Sequence, residues 1–123
     1  MVTALANMGE VDEQSIAGAM ATCTHGTGPK LGCISTLVSA FRLVLANGTV
    51  VVADASTNVD IFNAARAGIG ALGVVSSVTL KTVPQWKMMF KTVTNDTIRG
   101  MVTAYKTYLA QYERFEWYCR YFS

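Results

Sequence analysis

Alternating hydrophobic and polar residues in the middle of the chain predict a β-hairpin. The first strand has two predicted faces, one with Leu37, Phe41, Leu43 and Leu45 and the other with Val38, Arg42 and Val44. Asn47 and Gly48 follow as a two-residue turn signal, because both residue types accept a positive φ. The run 49–53 is apolar and rich in valine, and we expect it to return as the partner strand.

Capping signals before the hairpin predict a first helix from about Ile16 to Thr22. Ser15 is the expected N-cap, and the acidic residues just before it suit the positive end of a helix. Small side chains leave the surface of this helix nearly bare. The glycines and the proline between Cys23 and Gly32 predict a loop after it.

A second helix is predicted after the hairpin, ending near Ala67. Thr57 and Asp60 resemble a capping box at its start, and Gly68 suits its C′ position. Its apolar stripe consists of Ile61, Phe62 and Ala65. A strand is then expected over 74–83, ended by Pro84, with Val74, Val78 and Leu80 on one face.

The chain after Pro84 is predicted to form a strand, a helix and a further strand. The first of these strands carries Trp86, Met88 and Phe90 in alternation with lysines. The helix begins at Asn95 or Asp96, ends near Gln111, and has an apolar stripe of Ile98, Met101, Val102, Tyr105 and Leu109. The last strand holds Phe115, Trp117, Cys119 and Tyr121. The predicted order is therefore β-β-α-β and then β-α-β, and this second part looks incomplete.

Composition narrows the class of protein without naming a function. The chain has 123 residues, 51% of them hydrophobic and 15% charged, which is a globular composition for one domain or a piece of one. The net charge of +2 and the scattered Lys and Arg give no argument for nucleic acid. No signal peptide and no apolar run of roughly 18 residues is visible. The three cysteines, Cys23, Cys33 and Cys119, form no C-x-x-C pair, so we expect reduced thiols and an intracellular setting.

Candidate chemistry concentrates in residues 15–28, where small side chains lead into Thr24–Gly28 and the single histidine, His25. Small residues and glycines allow backbone to approach a ligand closely, so we interpret the stretch as a wall for a flat, phosphate-bearing molecule. Within this stretch, no Lys-Ser or Lys-Thr follows the glycines as in a Walker A loop, and the glycines do not follow the G-x-G-x-x-G order. The alternatives are a glycine-rich surface loop with an incidental histidine, or His25 as a general base. A metal site at His25 has no partner histidine.

Several stretches together resemble the sugar-lactone oxidases, the group of gulonolactone, galactonolactone and arabinonolactone oxidases with alditol oxidase as a cousin. These enzymes are flavoproteins of the vanillyl-alcohol-oxidase type. The matching stretches are 11–19, 24–28, 46–49, 60–66, 72–75 and 78–80. The resemblance covers roughly residues 3–84, and Arg114–Trp117 more loosely resembles the start of the substrate domain.

The resemblance implies an α+β fold and a flavin chemistry. Residues 1–84 correspond to the second subdomain of a vanillyl-alcohol-oxidase-type FAD-binding domain, and residues 85–123 to the beginning of an antiparallel-sheet cap domain. A sugar lactone or polyol gives a hydride to the flavin, which is reoxidised by oxygen or by another acceptor, as in ascorbate or erythroascorbate synthesis. Gly70–Gly73 is interpreted either as a helix-to-strand turn or as backbone that lies against a ring system.

Carried over by position, the implied FAD contacts come from the first helix, the loop after it and one strand: Ser15, Gly18, Thr22, Cys23, Thr24, His25 and the backbone of Val75. Gly9 matches a small residue that leaves oxygen a path to the flavin. Glu10 stands where relatives often have a serine near the substrate. Cys23 replaces a residue that is usually glycine.

The family's flavin-attachment histidine, pyrophosphate loop and substrate-binding residues have no counterpart here, so we expect no catalytic residue in this segment and no activity from it alone. The alternatives are a dehydrogenase using cytochrome c, an alditol oxidase, or a non-catalytic module built from half a flavin domain. The resemblance specifies neither the compartment nor whether the full-length protein associates with a membrane.

Overall fold

The computed structural model describes residues 2–94 and 97–119, and it shows a mixed α+β fold with antiparallel sheets. Its elements in chain order are β1 Thr3–Ala4, α1 Ile16–Ala21, α2 Ile34–Leu37, β2 Val38–Val44, β3 Val50–Asp54, α3 Val59–Ala65, β4 Val74–Leu80, β5 Val83–Pro84 and α4 Ile98–Gln111. Two compact units result. The first contains the chain up to Gly26 and Gly32–Gln85, and the second contains Thr27–Leu31 and the chain from Trp86.

The predicted hairpin is confirmed as the antiparallel pair β2–β3, but its turn differs from the prediction. Leu45 N–H donates to Thr49 O at 2.9 Å, so the loop has three residues rather than two. Only Gly48 of the predicted pair has a positive φ, at 81°. Asn47 instead accepts from Thr49 N–H through its side chain at 3.0 Å, a local bond that stabilises the longer turn.

β4 adds to the other side of β2 and completes a three-stranded sheet with the order β3-β2-β4. The pairing shifts between Val38 and Ala40, which inserts one extra residue in β2. Because such a bulge reverses the alternation, Val38 is buried on the face of Phe41, and its predicted placement opposite Phe41 is wrong. A second register shift between β2 and β4, at Arg42 and Leu43, places Val74 on the opposite face of the strand from Val78. Val74 is 71% exposed, so the prediction that it shares a face with Val78 is also wrong.

The core of the first unit lies between the sheet and the three helices. Met20 of α1 and Leu43 of β2 are its most deeply buried large side chains, at 0% and 1% exposure. Phe41 and Phe62 stack with ring centroids 5.6 Å apart, which fixes α3 on the sheet. The remaining buried hydrophobic residues are Ala19, Ile34, Val38, Ala53 and Ala65. The apolar stripe predicted for α3 therefore faces the core.

The start of α3 differs from the predicted capping box. Asn58, not Thr57, is the N-cap, and it adopts a left-handed conformation with φ 50°. Its side-chain amide donates to Val52 O at 2.8 Å, so the residue ties the helix start to β3 instead of capping the helix. Beyond the helix, the positive φ angles fall on Ile69 and Gly70 rather than on the predicted Gly68.

Asp54 organises the turn between β3 and α3. One of its carboxylate oxygens accepts from Ser56 N–H at 2.7 Å, Ser56 O–H at 2.8 Å and Thr57 N–H at 2.7 Å. These hydrogen bonds, led by that from the Ser56 backbone, hold the pKa of Asp54 below its ordinary value of 3.8. The ionised form is thus the one that the folded turn stabilises.

Asp54→Asn should reduce the loss of stability in acid. A carboxyl with a lowered pKa stabilises the fold above its unfolded pKa, and this contribution disappears as the pH falls through the folded value. We expect the melting temperature of the unchanged protein to fall more steeply between about pH 5 and pH 3 than that of Asp54→Asn. Circular dichroism melts test this, with Asp12→Asn as a charge-matched control in the lead segment. Parallel curves for the protein and Asp54→Asn would contradict the role of the turn.

The predicted strand over 74–83 is two shorter strands. β4 ends at Leu80, and Val83–Pro84 forms β5, which pairs with Thr3–Ala4 in a separate antiparallel ladder. Proline lacks the N–H group that a central strand needs for its hydrogen bonds. Pro84 therefore lies in the short β5, which pairs with β1 instead of continuing β4. The N-terminal lead is thereby fixed to the end of the sheet region.

The second unit contains a confirmed helix and two incorrect strands. α4 ends at Gln111 as predicted, but its N-cap is Thr97, whose hydroxyl accepts from Gly100 N–H at 3.0 Å. The predicted caps Asn95 and Asp96 lie outside the described residues. The predicted stripe is only partly buried: Ile98 and Val102 are exposed, whereas Met101 and Leu109 are half-buried.

Among the described residues, neither 85–94 nor 112–119 forms a strand. Met89 and Phe90 are 95% and 79% exposed. Alternation gives a strand only where a neighbouring strand satisfies the backbone, and the described chain has none there. Tyr121, predicted on the last strand, lies outside the described residues. Tyr108 instead stacks on Phe115 with centroids 5.1 Å apart.

Candidate functional site

Ser15 begins α1 as predicted and leaves the adjacent helix surface open. Its hydroxyl accepts from Gly18 N–H at 3.3 Å, which is the bond of an N-cap. A Cβ added at Gly18 would meet only this hydroxyl within 4 Å, at 3.2 Å. Ser15 and Gly18 are both exposed. The backbone of α1 is therefore accessible to a ligand beside Gly18.

The end of α1 is a Schellman cap in which Cys23 occupies the left-handed position. Cys23 N–H donates to Met20 O at 3.2 Å, and Thr24 N–H donates to Ala19 O at 2.9 Å. Cys23 has a φ of 59°, a conformation that glycine adopts with much less strain. This geometry gives a physical reason for a glycine at this point of the loop.

Cys23 also forms a disulfide with Cys33, so the prediction of reduced thiols is wrong for this pair. Their Cα atoms lie 5.4 Å apart across a sequence separation of 10, within the usual range for a disulfide. Sequence reasoning rejected a bridge because the cysteine count is odd and no C-x-x-C pair occurs. The loop folds back after Thr24, however, where Ile34 N–H donates to Thr24 O at 2.9 Å. Cys119 is exposed and unpaired by any disulfide.

The cap decides which backbone donors the loop retains for a ligand. The N–H groups of Thr22, Cys23 and Thr24 all donate to carbonyls of α1. The Thr22 hydroxyl is used as well, since it donates to Gly18 O at 3.0 Å. In the described residues, the N–H groups of His25 and Gly26 have no acceptor. Within the described residues, the loop N–H groups that remain available to a ligand are therefore at its His25 end.

His25 is exposed and its ring is held locally. Its Nδ1 lies 2.8 Å from Gly26 O. Because a carbonyl oxygen only accepts hydrogen bonds, this contact requires the ring proton on Nδ1. Glu10 is also exposed. Over the part of the chain that the structure describes, no group of three or more His, Cys, Asp or Glu residues could hold a metal ion.

The segment Asn7–Gly9 packs directly on this loop. Asn7 is buried at 6% exposure, and its amide donates to Gly32 O at 3.1 Å. A Cβ at Gly26 would come within 2.2 Å of Met8 O. A Cβ at Gly9 would approach Thr24 Cγ2 to 2.8 Å. Gly9 and the predicted cofactor loop are therefore neighbours.

Two buried polar residues that hold the loop were missed from the sequence. Asn7 fixes the Gly32 end, and the Ser35 hydroxyl donates to Met20 O at 2.5 Å beneath the cap. Both are buried. A polar residue inside an apolar run, as in Ala6–Met8, was the available signal, because burial of such a group requires a hydrogen bond.

Val75 lies on β4, an edge strand of the sheet. One side of the β4 backbone thus lacks a strand partner among the described residues, which is compatible with a backbone contact to a ligand. Gly70–Gly73 is a helix-to-strand turn that docks on α1, with Ile69 N–H donating to Ala21 O at 3.1 Å. The void between this turn and Val75 measures only about 10 Å³, room for no more than one water molecule.

Comparison with known proteins places the chain among enzymes named for sugar lactones. It is 38% identical to mouse L-gulonolactone oxidase over 117 residues, which is 94% of this chain and 26% of the mouse protein. The chain belongs to the sugar-1,4-lactone oxidase family. The predicted resemblance is thereby confirmed.

Two further members of the sugar-1,4-lactone oxidase family match over shorter stretches. L-gulono-1,4-lactone dehydrogenase of Mycobacterium tuberculosis is 50% identical over 80 residues, 65% of this chain and 18% of that protein. A putative D-arabinono-1,4-lactone oxidase of Neurospora crassa is 40% identical over 85 residues, 69% of this chain and 15% of that protein. The chain thus spans about a quarter or less of the length of these relatives. No protein-family model matches it.

The described chain contains no helix with the length and apolar character needed to cross a membrane.

Proposed function

We propose that the chain is part of an FAD-dependent oxidoreductase acting on a sugar-1,4-lactone. Its residues 1–84 would form the second FAD-binding subdomain, and residues 85–123 the beginning of the cap. The proposal rests on the identity to relatives named for one substrate class, which continues over 117 residues. A pathway to ascorbate or erythroascorbate is the corresponding expectation for the whole protein.

The geometry of α1 and its loop fits a flat, anionic cofactor. Gly18 leaves the helix backbone open, and the His25 and Gly26 N–H groups have no acceptor in the described chain. Ser15 and Gly18 would border the cofactor, the Thr22–His25 loop would approach it, and the backbone of Val75 would contact it from β4. When bound, FAD would accept the hydride removed from the substrate's CH–OH carbon. The residues of this chain would orient it and perform no proton transfer.

The electron acceptor is the point on which two candidates differ. We infer oxygen from Gly9, because a residue without a side chain would leave a path beside the cofactor loop. A dehydrogenase that passes electrons to cytochrome c is the second candidate, and the 50% identity to a protein named as a dehydrogenase favours it.

A chimeric enzyme tests the proposed function. Residues 3–84 of this chain would replace the corresponding segment of mouse L-gulonolactone oxidase. We expect the chimera to show flavin absorbance and to consume oxygen when given L-gulono-1,4-lactone. A chimera with a native circular dichroism spectrum but no bound flavin would contradict the proposal. The parent enzyme is the control.

Gly9→Ala in this chimera should lower turnover with oxygen by about tenfold or more while turnover with cytochrome c is largely kept. The physical reason is that a methyl group would narrow the path to the cofactor. An effect of 1.4 kcal/mol on the barrier corresponds to such a factor. Both acceptors are measured with the same lactone.

Thr24→Ser provides the control for displacement of the loop. The Cβ added at Gly9 lies 2.8 Å from Thr24 Cγ2, the methyl group that this substitution deletes. If oxygen access is blocked, the double variant Gly9→Ala/Thr24→Ser stays slow with oxygen. Recovery in the double variant would show that Gly9 acts by shifting Thr24, and the oxygen-path proposal would be wrong.

A further inference from the structure

A groove of about 360 Å³ lies in the first unit, away from the predicted flavin contacts. It opens at the start of β2, beside α3 and next to Lys81, the residue that follows β4. Its polar lining includes Asn63, Arg66 and Lys81, and its apolar lining includes Val38, Val59 and Phe62. None of the residues proposed to contact FAD lines it. Its volume is at the lower end of the range of roughly 300–1,000 Å³ for small-molecule sites.

The charge of this groove is positive and uncompensated within its walls. Arg66 and Lys81 both line it, and no aspartate or glutamate does. Neither cation forms an ion pair within the described residues. Two cations that share a concave surface attract an anion and raise its local concentration.

Arg66 is held in place but lacks one hydrogen bond. Its guanidinium carbon lies 4.6 Å from the centre of the Phe62 ring, and its Nη2 donates to Asn63 Oδ1 at 3.0 Å. Its Nε is buried and has no acceptor within the described chain. A buried donor without a partner is costly, so the arrangement is incomplete as it stands. Because Asn63 uses its carbonyl oxygen, its amide nitrogen keeps its two hydrogens for another acceptor.

We propose that this groove binds a small organic carboxylate with a flat apolar body. The carboxylate would accept charge-assisted hydrogen bonds from Arg66, Lys81 and Asn63, since a guanidinium matches a carboxylate in shape and charge. The apolar body would cover Val59, which is 41% exposed, at a place where Val38 and Phe62 form the buried floor of the groove. An inorganic anion would leave Val59 in contact with water, so the organic ligand is preferred. The site is independent of the proposed flavin function.

Titration of the full chain with benzoate, followed by NMR of backbone amides, tests the proposal. Benzamide is the neutral ligand of the same shape, and inorganic phosphate is the anion without an apolar body. We expect saturable shifts at the groove residues with benzoate, and at least about tenfold weaker binding of benzamide and of phosphate.

Lys81→Gln should weaken benzoate binding by about tenfold, and because the Lys81 side chain is exposed, the variant should fold as the unchanged protein does. Arg66→Gln should weaken it further. Lys106→Gln removes the same charge from α4, outside the groove, and should leave the affinity unchanged. Equal affinity for benzamide, equal affinity for phosphate, or unchanged binding in Lys81→Gln would each overturn the proposal. Shifts confined to residues outside the groove would do the same.

Discussion

Gly73→Ala should lower the free energy of unfolding by roughly 3 kcal/mol or more, placing it among the most damaging single substitutions in this chain. Gly73 has a φ of 147°, and a Cβ added there would lie 2.3 Å from Val44 O. Val44 belongs to the central strand β2, which pairs with β3 on one side and β4 on the other. Neither backbone can withdraw without breaking part of a ladder. Urea unfolding followed by circular dichroism measures the effect.

Gly48→Ala separates the steric cost from the cost of the backbone conformation. Gly48 also has a positive φ, 81°, but a Cβ there would meet nothing within 4 Å. Gly48→Ala should therefore lower the free energy of unfolding only by the cost of a positive φ for a residue with a Cβ, about 1 kcal/mol. Equal losses in the two variants would contradict the close approach to Val44.

Gly70 and Gly73 both have structural reasons within the helix-to-strand turn. Gly70 has a φ of 77° in open space, and Gly73 is required by contact with β2. A helix-to-strand turn accounts for both without a ligand. Contact of the Gly70–Gly73 backbone with a ring system stays a prediction, as does the contact of the Val75 backbone with the cofactor.

Local signals predicted the parts of the fold that short-range chemistry determines. The Ser15 cap, the β2–β3 hairpin and the end of α4 each depend on residues close in sequence. Long-range pairing determined the rest. The bulge at Val38 reflects the register with β4, where its partner Leu80 lies 42 residues away in sequence, and no local pattern contains that information.

The candidate site was predictable as a stretch but not in its internal geometry. Family resemblance marked Ser15–His25, whereas the left-handed Cys23 and its bridge to Cys33 require the loop to reverse in space. The donors available to a ligand follow from that reversal, because the cap uses the N–H groups of Cys23 and Thr24. Which residues point at a cofactor depends on such bonds, and sequence spacing does not specify them.

Opening the Cys23–Cys33 bridge should destabilise the first unit by about 3 kcal/mol, the loop-closure term expected for a bridge across so few residues. The separation of the two cysteines is 10. We expect dithiothreitol to lower the melting temperature of the unchanged protein and to have no effect on Cys23→Ser/Cys33→Ser. Without the bridge, a serine at position 23 must still adopt the left-handed conformation that ends α1.

Cys23→Gly/Cys33→Ser should therefore be more stable than Cys23→Ser/Cys33→Ser by about 1–2 kcal/mol, the cost of a left-handed conformation for a residue with a Cβ. Cys23 has a φ of 59° in the Schellman cap, and glycine adopts this angle readily. Both variants lack the bridge, so their difference isolates the cap. Equal stability of the two would show that the cap is not retained once the bridge is lost. A gain for glycine would mean that the bridge stabilises a cap whose left-handed position glycine would adopt with less strain.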